Sequence, residues 1–255
     1  MKENSKNPLT RFSNRVENYI KYRPGYPVEI IDFMKNDLNL DSTDTIADIG
    51  SGTGLFSELL LKNGNTVYGI EPNNEMRTAA ENILRLYKNF ISLNGTAERT
   101  TLKENSCDFI TCAQAFHWFD LLKTKKEFSR ILNTDGYVIL IWNSRINDAS
   151  DFMHAFENFL NKFSIDYQKV NHQIIGLETF GKFFNNFEVR YFPNEQVFDF
   201  EGLKGRVLSA SYIPTEEDYR FSNMIEELRI LFDKFNEKGK IKMIYQTEVY
   251  FGRMS

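Results

Sequence analysis

Apolar residues along this chain keep two rhythms in turn. Short apolar runs stand at Thr45 to Ile49, Thr66 to Ile70, Phe90 to Leu93, Ser106 to Cys112 and Tyr137 to Trp142, and residues at helical spacing fill most of the gaps between them. The runs predict strands and the spaced residues predict helices, and their alternation predicts an α/β, doubly wound sheet that is mostly parallel. Ahead of the first run, Pro24 and Pro27 stiffen a segment that leads into a helix at about 28–38. A helix over 121–132 is predicted to stop at Asn133-Thr134-Asp135-Gly136, with glycine just past the last turn. Beyond residue 150 the pattern loosens. Phe152, Phe156, Phe159, Leu160 and Phe163 share one face of a helix over 151–163. Val189 to Phe192 and Gln196 to Phe200 read as extended pieces interrupted by Pro193, and Thr215-Glu216-Glu217-Asp218 as the start of a helix reaching about Asn236. Alternation from Tyr245 onward predicts an antiparallel last strand. No repeat or linker interrupts the chain, so one domain is expected over 1–255, with an N-terminal segment and helix over 1–40 and a partly helical cap over 150–240.

Chemistry concentrates where the first strand meets the first helix of the sheet. Asp48-Ile49-Gly50-Ser51-Gly52-Thr53-Gly54 places three glycines at alternate positions, where a backbone must take positive φ or lie flat against a ligand beside unpaired helix N–H groups. A dinucleotide turn reads G-x-G-x-x-G and holds a pyrophosphate. Here Asp48 stands two residues ahead of the first glycine, which opposes a pyrophosphate and suits an amine, such as the amino-acid end of S-adenosylmethionine (SAM). Glu71 ends the second strand, 17 residues beyond Gly54, where a carboxylate can accept from both hydroxyls of a ribose. Acids are otherwise kept off buried strand ends, so the pair points to a nucleoside-bearing ligand.

An acid followed by x-G-x-G-x-G resembles the first motif of the class I SAM-dependent methyltransferases. That resemblance implies a Rossmann-like methyltransferase sheet and SAM as cofactor, with Asp48, Gly50, Ser51, Gly52 and Gly54 at the methionyl part and Glu71 and Pro72 at the ribose. It places Met76 against the adenine, although a lone Met on an apolar helix face also suits a core. Ala97 and Glu98 fall where the family reads the adenine edge; many relatives carry an acid at the position of Thr96, so Thr96 and Glu98 stand as alternatives for facing the base.

Two strings narrow the resemblance. Tyr19-Ile20-Lys21-Tyr22-Arg23-Pro24-Gly25-Tyr26-Pro27 and Ala113-Gln114-Ala115-Phe116-His117-Trp118-Phe119 are similar to a small-molecule branch that includes the trans-aconitate methyltransferase-like (methyltransferase type 11) proteins. There the first string is a lid over the cofactor, which implies Tyr19, Tyr22 and Arg23 at the methionyl end, with Tyr22 also toward the acceptor. The second implies Gln114 at the cofactor and His117 and Trp118 at the acceptor. His117 reads as a general base or substrate donor, or else as a buried histidine satisfied by backbone groups. Arg145, following the fifth strand, could reach the substrate side, and Glu201 to Pro214 resembles a segment of the same branch near the substrate pocket, with Arg206, Ser209, Ser211 and Tyr212 as its polar candidates, or else reads as a surface helix cap.

Composition narrows the classes. With 255 residues, 42% hydrophobic and 26% charged, the chain can bury a proper core. Its 23 Phe and 12 Tyr fit either a ring-rich pocket or a Phe-heavy core. A net charge of -4 argues against a nucleic acid held by a general basic surface, and Lys123, Lys125 and Lys126 read as a solvated helix face. Met1 to Asn18 lacks the apolar core of a signal peptide, and no stretch reaches the roughly 18 apolar residues of a bilayer span, so a cytoplasmic protein without a membrane partner is expected. Cys107 and Cys112, five apart, are expected on opposite strand faces, which argues against a disulfide or a metal pair. The expected activity is in-line methyl transfer from SAM to a small carboxylate, hydroxyl or amine, requiring no metal, by a monomer or homodimer. The alternatives are a SAM-binding protein without catalysis, and an NAD-dependent oxidoreductase, which would want the third glycine one residue later.

Overall fold

The computed structural model describes residues 20–165 and 177–254. Its strands are β1 (Thr45–Ile49), β2 (Thr66–Ile70), β3 (Phe90–Leu93), β4 (Cys107–Ala113), β5 (Leu132–Arg145), β6 (Asn186–Phe198) and β7 (Ile241–Arg253). They form a seven-stranded sheet in the order β3-β2-β1-β4-β5-β7-β6. β1 to β5 pair in parallel, and β7 runs antiparallel between β5 and β6. The strand order reverses between β1 and β4, and ligands of such sheets bind beyond the strand C-termini at that point.

Around the sheet lie α1 (Glu29–Leu38), α2 (Ser57–Lys62), α3 (Asn74–Ile83), α4 (Leu121–Ile131), α5 (Asp151–Phe163), α6 (Leu177–Phe183), α7 (Phe200–Leu208) and α8 (Phe221–Phe235). Strand side chains alternate between faces, which sorts the core into layers. Ile46, Val67, Phe109, Ile139, Ile141, Val249 and Phe251 pack with α1 and α2 on one face. Ala47, Ile49, Ile110, Val138, Leu140 and Trp142 pack with α4 and α6 on the other. A third core joins α5, α7 and α8 to Met243 and Tyr245 of β7; these helices form the cap. The Phe row of α5 faces inward. Side chains of Asn73, Asp120, Ser150 and Asp199 cap α3, α4, α5 and α7, each accepting an otherwise orphaned N–H. Among the described residues no helix is long and apolar enough to cross a membrane.

Four expectations are corrected. α4 passes straight into β5 at Leu132 instead of stopping at a glycine turn; Gly136 is needed for close approach, since a Cβ there would lie 2.7 Å from the Asp108 carbonyl oxygen. Pro193 lies within one continuous β6, opposite Gln246, because β6 is an edge strand and tolerates a missing donor. Thr215 to Asp218 form a turn ahead of α8, with Asp218 paired to Arg220 at 2.6 Å, so the helix begins at Phe221. Cys107 and Cys112, both free thiols, join the same core layer, because a register irregularity between Cys107 and Phe109 shifts the alternation by one residue.

Candidate functional site

The three glycines of the turn after β1 serve different needs. All have positive φ: 69° at Gly50, 58° at Gly52 and 82° at Gly54. A Cβ on Gly50 would stand 2.6 Å from Ala115 Cβ, and one on Gly54 would stand 2.6 Å from Leu84 Cδ1, so these two let neighbouring elements close in. A Cβ on Gly52 would meet nothing within 4 Å. Gly52 is therefore the open floor of the turn, where a bound group could lie against the backbone. The Gly52 N–H donates to Glu71 Oε2 at 2.9 Å, and Glu71 Oε1 accepts from Asn73 N at 2.8 Å. Two backbone donors thus fix the Glu71 carboxylate at the rim while leaving lone pairs for a diol. Burial raises the Glu71 pKa, and these two hydrogen bonds and Arg77 pull against the rise.

Asp48 lies beneath the turn rather than on its open side. It is 1% exposed and accepts from Ser57 Oγ at 2.5 Å and Thr111 Oγ1 at 2.9 Å. Burial pushes its pKa up to about 6, against the pull of those hydroxyls. Any attraction to an ammonium group over the turn would act through the low-dielectric floor. Thr53 Oγ1, also in the turn, is buried and makes no hydrogen bond among the described residues, an orphaned polar atom of the kind a ligand can satisfy. An open backbone floor, an oriented carboxylate at the rim and a buried carboxylate beneath fit SAM.

The remaining cofactor candidates surround this floor. Asn73 Oδ1 accepts from Met76 N at 3.0 Å, and Met76 is buried on α3; Pro72 is half-buried between Glu71 and that cap. Ala97 is buried, whereas Thr96 is exposed. Glu98 is half-buried and takes the Asp120 N–H at 2.9 Å, which ties the turn after β3 to the loop after β4. Gln114 has φ of 59°, a strained value for a non-glycine residue and one that clusters at functional loops. Its N–H donates to Ile141 O at 2.8 Å and its Nε2 to Asn143 O at 3.5 Å. A short 3₁₀ turn then carries Phe116, His117 and Trp118. Phe116 is core, 4.8 Å from the Phe183 ring. His117 and Trp118 are half-buried, with ring centroids 4.9 Å apart. Tyr19 lies outside the described residues.

The acceptor candidates come together at the far end of β5. Arg145, its last residue, lies 3.5 Å from Glu157 of α5 and hydrogen-bonds Tyr212. Arg206 of α7 is buried; its Nε donates to Tyr245 OH at 3.2 Å and its Nη1 to Ser209 Oγ at 3.4 Å. Arg23 Nη2 donates to Ser209 O at 3.1 Å. Burial pushes the Tyr212 phenol up, but the guanidinium groups of Arg145, Arg206 and Arg23 outweigh it and leave the phenol below its ordinary value. Tyr22 rests on α7, where a methyl group at Gly205 would run into its ring. Ser211 is half-buried beside Tyr212.

Sequence reasoning passed over Ser57 and Thr111, which seal Asp48, and Thr53, Asn194 and Thr247. Thr247 left one trace: it is the polar member of the alternating row Ile241, Met243, Tyr245, Thr247, Val249, Phe251.

Residues 47–140 match the family model of the methyltransferase domain. An uncharacterised methyltransferase-like protein of Schizosaccharomyces pombe is 26% identical over 252 residues, 95% of this chain and 94% of its own. An uncharacterised methyltransferase of Mycobacterium tuberculosis is 34% identical over 134 residues, so this chain spans about half of that relative's length, 52% of each. Among solved structures, a type II methyltransferase from Anaeromyxobacter dehalogenans superposes with a TM-score of 0.68 at 17% identity, over 91% of this chain and 98% of its own. The structural likeness shows the fold; the family match spans both the glycine turn and the rim carboxylate. The chain is a SAM-dependent methyltransferase with the class I fold.

Proposed function

We propose that the protein methylates a small-molecule acceptor bearing a carboxylate, by direct in-line displacement. The observation that carries this reading is the gathering of three guanidinium groups, Arg23 and Arg206 on Ser209 and Arg145 beside Tyr212, at the strand end that the glycine turn also faces. Guanidinium forks match a carboxylate in charge and geometry, and shielding from water strengthens each contact. Lid, sheet and cap each contribute one arginine, so the pocket exists only when the three act as one domain.

Bound SAM supplies a methyl group on a sulfonium, a leaving group that needs no further activation. The chain's task is then to hold and align. The Gly50 to Gly54 backbone and Ser51 would cradle the methionyl part above Asp48, Glu71 would take the ribose hydroxyls, and Met76, Ala97 and Glu98 would border the adenine. Gln114 would edge the reaction centre. Arg145, Arg206 and Tyr212 would fix the acceptor, with Trp118 and Tyr22 as walls, an orientation effect that in general contributes several kcal/mol. An ionised carboxylate needs no base, so His117 would orient it; for a hydroxyl or amine acceptor His117 would take the proton.

Calorimetric titration with SAM and, separately, NAD tests the cofactor half. SAM should bind and NAD should not, and Glu71→Ala should weaken SAM binding. A screen of small carboxylic acids, phenols and amines tests the acceptor half. Methylation of acids that is lost in Arg145→Met with SAM affinity intact is the expected result; turnover of phenols or amines alone would overturn the carboxylate reading.

A further inference from the structure

The lid is tied down at three points, and two of the ties run through side chains with no place yet in the site. Gly25 O accepts two amide hydrogen bonds, from Asn143 Nδ2 at 3.1 Å and from Asn194 Nδ2 at 2.9 Å. Tyr22 O accepts from Gln196 Nε2 at 3.2 Å. Gln196 Oε1 in turn accepts from Tyr245 OH at 3.0 Å, and that oxygen accepts from Arg206. Arg23 itself reaches Ser209 O on the cap.

The first tie has a defined chemical polarity. Asn143 Oδ1 accepts from Thr247 Oγ1 at 2.6 Å and from Asn194 Nδ2 at 3.0 Å. With its oxygen claimed by two donors, the Asn143 amide must turn its NH2 toward Gly25. Asn143 and Thr247 face each other across β5 and β7, and Asn194 sits one strand further on β6. Thr247 interrupts the apolar row of β7 where the cap core ends and the α1 core begins. A polar group buried there at 0% exposure is tolerated only because its hydrogen bonds are made. The Asn143 carbonyl also receives Gln114, so the same residue touches the loop beside the glycine turn.

We propose that Asn143, Asn194 and Thr247 are positioning residues, a latch that clamps the lid backbone at Gly25 and so holds Tyr22 and Arg23 over the pocket. Its consequence for ligands rests on the lid reading given above; the latch itself does not. Asn143 and Asn194 hold one peptide carbonyl and Thr247 on the strand between them holds Asn143, and Tyr22 and Arg23, three and two residues ahead of that carbonyl, are the ones turned to the cap.

The test uses the full chain without ligand. Trypsin cuts after Lys21, which is exposed, and this bond is protected while Tyr22 stays packed on Gly205. Asn194→Ala and Thr247→Val should speed that cut on the order of tenfold, as expected for a local opening. Thr247→Ser should restore the wild-type rate. Leu60→Ala, in the α2 core, should lower the melting temperature without speeding this cut, which separates loss of the latch from general destabilisation. Wild-type cutting in both Asn194→Ala and Thr247→Val, or equal cutting in Thr247→Ser and Thr247→Val, would overturn the latch. The second readout is the dissociation rate of S-adenosylhomocysteine, expected to rise about fivefold in Asn194→Ala. A loosened lid with an unchanged dissociation rate would overturn the lid's role over the cofactor and leave the carboxylate reading and the latch to their own tests.

Discussion

Asp48 shows how burial changes what a motif residue can do. Its pKa of about 6 in the folded protein, raised by burial, exceeds that of the unfolded chain. The contribution of Asp48 to stability is therefore full below about pH 4 and falls as pH rises toward 6, by roughly 3 kcal/mol in all. Urea titrations of the ligand-free protein from pH 4 to 7 should show this fall, and Asp48→Asn should flatten it. SAM should behave in the opposite sense, since an ammonium over the turn favours the ionised carboxylate. Its affinity should rise as pH passes through 6, with proton release on binding, measurable by calorimetry in buffers of different ionisation enthalpy. Gly52 supports a second expectation. Gly52→Val would put a branched side chain at a φ of 58° in otherwise open space. It should cost about 1–2 kcal/mol of stability and abolish SAM binding, whereas Gly50→Val, aimed at Ala115, should chiefly unfold the turn.

At the scale of elements, the strands under the site were legible because buried parallel strands have to be apolar along both faces. The glycine turn and the Glu71 strand end were legible because their residue types are dictated by backbone shape and ligand charge. What misled the reading was local. A glycine near a helix end reads as a cap, yet Gly136 answers to Asp108 on a neighbouring strand. A proline reads as a break, yet Pro193 sits on an edge. The cap of α3 gives a test at this scale. Asn73 both accepts from Met76 N and donates its own N–H to Glu71. Asn73→Ala removes the first and keeps the second, so it should cost about 1 kcal/mol, seen as a melting-temperature loss of about 2–4 °C. SAM affinity should fall only modestly.

Across the whole molecule, the cap core is held to the sheet through β7, whose first half faces α5, α7 and α8 and whose second half faces α1. Leu228, fully buried in the cap, is expected to cost about 2–5 kcal/mol when cut to Ala. Arg206 and Arg145, which pack on the cap, should then lose their support before the glycine turn does. Hydrogen exchange should show α7 and α8 opening ahead of β1 and β4, and SAM affinity should hold.

The sequence by itself determined the order of strands and helices up to the fifth strand, the glycine turn and its two carboxylates, and the cofactor class, because each depends on residues close together in the chain or on a period that burial imposes. Only the tertiary structure decided that Asp48 is sealed by Ser57 and Thr111, that Arg23 and Arg206 meet at Ser209 with Arg145 beside Tyr212, and that Asn143, Asn194 and Thr247 are bonded together under the Gly25 carbonyl. Most of those partners lie tens to hundreds of residues apart, and nothing in local spacing tells one polar side chain which distant partner will share its surroundings.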